Sequence, residues 1–107
     1  MLEMTLKLPK SLRQLPEPER AMLIRAGLHE ATRARIRQVQ SEIAEGQEAL
    51  RRFEARYGMP LARFETDILA QQDSLQVHDD YNDWFYRQSV LEEKLKLLAA
   101  LQALGLA

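Results

Sequence analysis

Seven consecutive residues hold the densest chemistry in the sequence: His78, Asp79, Asp80, Tyr81, Asn82, Asp83 and Trp84. An imidazole beside three carboxylates has the donor set for a hard divalent cation, and paired acids can pass a proton in general acid/base work. The same residues also have a structural use where a helix begins. Asp79 or Asp80 suits the N-cap, Asp83 complements the positive end of the macrodipole, and Tyr81, Trp84 and Phe85 can fill a core around a corner. A third use is a contact surface, in which carboxylates face a basic partner around an aromatic anchor. Capping with packing accounts for the residue types most simply. Protein contact ranks second, and metal binding or catalysis last.

No other stretch reaches a catalytic pattern. His29 stands beside Arg25, Glu30 and Arg33 with no second ligand at helical spacing, as a surface or interfacial histidine would. Ser11, Ser41, Ser74 and Ser89 lie outside any nucleophile-elbow turn. Gly27, Gly46, Gly58 and Gly105 are too scattered to cradle a phosphate. The absence of cysteine removes disulfides, thiolate ligands and thiol nucleophiles. The expectation is a protein that is not an enzyme and uses no cofactor or metal.

The elements that position the cluster are helical. From Glu17 to Tyr57 the chain has no breaker, and Ile36, Val39, Ile43, Leu50, Phe53 and Tyr57 recur at steps of three and four, with Gly46 in the remaining seam position. Gly46 predicts close approach of a partner backbone, or a local bend. Pro18 suits the first turn, with Glu17 and Glu19 at the positive end of the dipole. Such a helix, on the order of 60 Å long, needs a second helix from its own chain, from another copy, or from both. Gly58-Met59-Pro60 ends it, Gly58 at C′ and Pro60 at N1 of the next helix. Leu61, Phe64 and Ile68 give that short helix, 60–72, one apolar face. Asp73 to Asp79 reads as a connection. The last helix, 79–104, carries Trp84, Leu91, Leu95, Leu98 and Leu101 on one stripe, and Gly105 terminates it.

The expected architecture is a single all-α domain: a long helix, a short corner helix and an antiparallel C-terminal helix in a coiled-coil-like hairpin. The long helix would overhang, leaving its N-terminal third for another copy. Before it, Leu2, Met4, Leu6 and Leu8 alternate with Glu3, Thr5 and Lys7, the period of a half-buried strand over residues 1–10 that would pair with its copy in a dimer. Ser11 to Leu15 suits a short helical turn.

Net charge is −1 over 107 residues, but the charges are unevenly placed. Up to Arg37 there are eight lysines and arginines against four acids; from Phe64 to Glu93, eight acids against Arg87 alone. Such polarity suits a solvated helical surface, or two ends that meet different partners. Arg33, Arg35 and Arg37 do not form one ridge, whereas Arg51, Arg52 and Arg56 are placed to pair with Glu48. No signal segment or spanning helix is evident, so a cytoplasmic protein is expected.

Two stretches resemble known families. Arg56-Tyr57-Gly58-Met59-Pro60, Phe64-Glu65 and His78-Asp79-Asp80-Tyr81-Asn82-Asp83-Trp84 are similar to the pattern in small prokaryotic antitoxin-like proteins of toxin-antitoxin modules. Met4-Thr5-Leu6-Lys7-Leu8-Pro9 resembles the opening strand of ribbon-helix-helix antitoxins, although Pro16 and Pro18 interrupt where that family's first helix should run. The first resemblance implies an antitoxin that covers a toxin, for instance a nuclease, with Asp79, Asp80, Tyr81, Asp83 and Trp84. The second implies a dimeric DNA-binding regulator with Thr5 and Lys7 as readers. A structural homo-oligomeric coiled coil or adaptor is the remaining alternative.

Overall fold

The computed structural model describes residues 9–72 and 74–104. The fold is all-α, with no strand among the described residues: α1 (Lys10–Arg13), α2 (Glu17–Tyr57), α3 (Leu61–Phe64), a π-helical turn (Glu65–Leu69) and α4 (Leu75–Gln102). The strand expected over residues 1–10, with Thr5 and Lys7, lies outside the described residues except for Pro9 and Lys10, and so does Gly105. By contacts the chain forms two units, Met1–Ala34 and Arg35–Ala107.

In the first unit, Pro9 precedes α1 and accepts hydrogen bonds from the Leu12 and Arg13 amides. Helix α2 starts at Glu17, where Pro18 and two carboxylates predicted it, and Arg20 Nη1 reaches back to the Arg13 carbonyl at 3.5 Å. None of this unit's described residues is buried.

In the second unit, α2 packs against α4 as a hairpin around Val39, Ile43, Leu50, Phe64, Val77, Trp84 and Leu91. The pairs Glu42 with Lys94, Gly46 with Leu91, Phe53 with Trp84 and Tyr57 with Asp80 rise along one helix as they descend the other. That is the antiparallel register the heptad seam called for. The helix ends at Tyr57 because Gly58 adopts φ +70°, a left-handed conformation that costs a residue with Cβ about 1–2 kcal/mol.

Four expectations need correction. The last helix begins at Leu75, after Ser74, and not at Asp79, because Val77 adds one more buried position, four residues before Tyr81 and seven before Trp84. The short helix is one α turn followed by the π turn, and Pro60 precedes its first residue; the wider turn accompanies Ile68 and Leu69 both packing on the core. Leu95 is 46% exposed, since the inward stripe steps by sevens through Val77, Trp84, Leu91 and Leu98 and passes it by. At Gly46 a Cβ would meet Leu91 Cδ1 at 3.7 Å, an ordinary contact, so no close backbone approach requires glycine there.

Candidate functional site

The corner where α2, α3 and α4 meet sorts the expected site residues into two groups. Trp84 is 1% exposed. Its indole stacks on Phe53 with centroids 5.4 Å apart and planes at 11°, and Phe64 and Tyr57 lie at 5.2 and 6.0 Å. Tyr81 is half-buried and stacks on Phe64 at 6.4 Å. Both rings serve the protein's own core. Trp84 as an anchor for another protein is therefore corrected: its surface is already consumed by the hairpin.

Asp80 is the one buried charged residue among those described, at 7% exposure. Its Oδ2 accepts a hydrogen bond from the Tyr57 hydroxyl and one from Arg56 Nη1 at 3.1 Å; Gln76 Nε2 donates to Oδ1, also at 3.1 Å. A buried carboxylate with three donors remains ionised, because the hydrogen bonds favour the charged form over the cost of burial. The Tyr57 hydroxyl is the main cause holding its pKa below the usual value, opposed by desolvation and helped by Arg56 and Gln76. The Tyr57 phenol is pushed up, first by burial and then by the Asp80 carboxylate that keeps its proton in place. Asp80 is thus neither an N-cap nor a surface acid. It lies six residues into the helix.

Asp79 and Asp83 face outward, and Arg87 Nε donates to Asp83 at 3.0 Å. The aromatic that accompanies them is Tyr86, 67% exposed, which the sequence reading passed over. It is two residues beyond Trp84, about 200° around the helix and so on the opposite side. On the same outward face lie Val90, half-buried, and Leu97, 38% exposed. Beside Tyr86 runs a surface groove of about 260 Å³, rimmed by Glu42, Glu45 and Asp83 and by Arg87 and Lys94. Lys94 Nζ donates to Glu42 at 2.9 Å, and this bond is the main reason the Glu42 pKa lies below its usual value. Glu48 pairs with Arg51 at 2.7 Å and more loosely with Arg52 at 4.0 Å, while Arg56 turns to Asp80 instead.

Among the described residues no three histidine, cysteine, aspartate or glutamate side chains are grouped to hold a metal ion, and no helix is long and apolar enough to cross a membrane. Arg56, Tyr57, Phe64, Asp80, Tyr81 and Trp84, six of the fourteen residues on which the antitoxin-like resemblance rests, build the corner itself. Comparison of the chain with protein-family models, with curated proteins and with solved structures gives no match.

Proposed function

We propose that the chain is a protein-binding helical module, antitoxin-like in its mode of action, that covers a basic surface on a partner with the outward face of α4. Asp79 and Asp83 supply negative charge, and Tyr86 supplies the anchor in the place that the sequence assigned to Trp84. The observation that carries this reading is the exposed Tyr86 ring at a groove between two packed helices, where Glu45 stands beside the Glu42–Lys94 and Asp83–Arg87 pairs. Tyrosine is among the residue types enriched at the energetic centres of protein interfaces, and charges around them steer encounter and specify the partner. Against a ribonuclease toxin, these carboxylates would occupy the places of RNA phosphates.

The test is a tagged pull-down from the native host, followed by titration of the recovered protein. The expected partner is small, basic and stoichiometric. Exchanging Asp79 and Asp83 for Asn together with Tyr86→Ala should weaken it by about 100-fold, the cost of one anchor and two charges at roughly 2–3 kcal/mol. Far-UV circular dichroism should not change. Undiminished affinity in the triple variant would refute the assignment.

A second reading, a homo-oligomeric module, is favoured by a different observation: Met22, Leu23 and Leu28 are at least half exposed on α2.

A further inference from the structure

Gly46 holds a seam position of α2 without a side chain to put there. Its neighbours along the seam, Val39, Ile43 and Leu50, are all buried. Glycine weakens a helix interior relative to alanine, and a Cβ at this position would make only an ordinary contact, 3.7 Å from Leu91 Cδ1. The packing of the hairpin therefore does not explain the glycine. Its consequence is space: Gly46 lines the groove of about 260 Å³, together with Val90 and Leu91 of α4. That volume is below the roughly 300–1,000 Å³ of a pocket for a drug-sized ligand, and suits one side chain.

The charges around this space do not balance. Lys94 Nζ donates to Glu42 at 2.9 Å, and Arg87 Nε donates to Asp83 at 3.0 Å, so both cations of the rim are already held by acids of the rim. Glu45 is exposed, directly precedes Gly46, and makes no hydrogen bond or ion pair with any described residue. The groove thus carries one net negative charge, on a carboxylate with nothing to face, beside the exposed ring of Tyr86. A carboxylate and an aromatic face together are what a guanidinium takes, its planar fork on the acid and its own face on the ring. The bare backbone of Gly46, with Val90 and Leu91, accommodates an aliphatic stem.

We propose that the groove at Gly46 receives one arginine side chain of the partner, with its guanidinium on Glu45 and against the Tyr86 ring and its methylenes over Gly46 and Val90. This rests on the reading of the outward face of α4 as a protein-binding surface, and names the partner group that enters it. Glu45, a residue of α2 outside the aspartate cluster, is the acid that makes the contact. The Glu42–Lys94 and Asp83–Arg87 pairs are already neutral and leave it as the single unmatched charge.

The probe is N-acetyl-arginine methylamide, titrated into the isotope-labelled full chain and followed by amide NMR shifts, with the citrulline analogue, equal in shape but uncharged, as control. The arginine probe should shift the amides of Glu45, Gly46, Val90 and Leu91 with a Kd of about 1–10 mM, and the citrulline probe should bind about tenfold more weakly. Glu45→Gln, exposed and clear of the seam, should weaken the arginine probe by the same factor of about ten. Gly46→Leu fills the groove and should abolish saturation; Glu45→Gln keeps the test standing if the larger side chain disturbs the seam. Shifts confined to other residues, equal binding of citrulline, or affinity unchanged in Glu45→Gln would each overturn the proposal. The recovered partner separates this inference from the reading beneath it. A partner weakened by the Asp79, Asp83 and Tyr86 variant but indifferent to Glu45→Gln refutes the groove alone, whereas arginine binding as stated with no basic partner recovered upholds the groove and counts against that reading.

Discussion

Replacing Asp80 with asparagine keeps the side chain's size and removes its charge, which makes it a direct probe of the corner. Three donors converge on this carboxylate: the Tyr57 hydroxyl, Arg56 Nη1 and Gln76 Nε2. Hydrogen bonds to a charged acceptor contribute about 1.5–3 kcal/mol each, against roughly 0.5–1.5 kcal/mol for neutral pairs. The Arg56 side chain is 59% exposed, so its share is small. Part of the remainder is offset because a neutral amide costs less to bury than an ion. The expected loss is about 2 kcal/mol, or a fall in Tm of roughly 8–16 °C. Thermal melts followed at 222 nm for the wild type, Asp80→Asn, Tyr57→Phe and the double variant complete the cycle. The two single losses should overlap by about 1 kcal/mol, because the hydroxyl and the carboxylate are each other's partner. Repeating the melts in acid adds a sign. The folded Asp80 pKa lies below the usual carboxylate value, so the gap between wild type and Asp80→Asn is full above about pH 5, shrinks below the ordinary value of about 3.9, and closes as the pH passes through the lower folded pKa. All other acids titrate alike in both proteins and cancel. Strict additivity, or a gap that widens in acid, would refute the account of Asp80 as a stabilising buried anion.

Two glycine substitutions should have opposite signs in urea denaturation. Gly46→Ala stabilises by roughly 0.5–1 kcal/mol, since the new methyl meets Leu91 at 3.7 Å; Gly58→Ala destabilises by about 1–2 kcal/mol because of its φ of +70°. Among the aromatics, Trp84→Ala should cost about 3–5 kcal/mol and Tyr86→Ala less than about 0.5 kcal/mol. Comparable losses at the two positions would contradict their placement on opposite sides of α4.

The hairpin was legible because its signal is periodic. The Ile36–Tyr57 seam and the Gly58-Met59-Pro60 break placed α2 with its observed ends, and the stripe through Trp84 and Leu91 identified its mate. The acid-rich start of α4 misled for a physical reason. Three aspartates within five residues look like first-turn residues, and only the weak signal of Val77 extended the buried face back by a turn. The stripe through Trp84 and Leu91 already sets Asp80, four residues before Trp84, on the buried side and Tyr86, two residues after it, on the outer side; treating the three aspartates as one first-turn group hid that difference. What could not be read from local sequence is the pair of donors Arg56 and Tyr57, which come from the other helix.

That cross-helix origin bears on why this chain has one register. A seam built on heptads is nearly unchanged by a shift of seven residues, so apolar matching alone leaves neighbouring registers close in energy. In the observed pairing Asp80 meets Tyr57 and Arg56, Trp84 meets Phe53, and Leu91 lies beside Gly46. Sliding α4 by one heptad along α2 would set Asp80 against Leu50, leaving a buried carboxylate with no cross-helix donor, and would put Trp84 over Gly46, with no ring to stack on. The first change alone costs several kcal/mol, comparable to the whole stability margin of a small domain. The apolar seam therefore drives the two helices together, and the polar and aromatic residues of the corner select which of the repeating alignments survives. The same selection fixes which side of α4 turns outward, and with it the position of Asp79, Asp83 and Tyr86 on the surface.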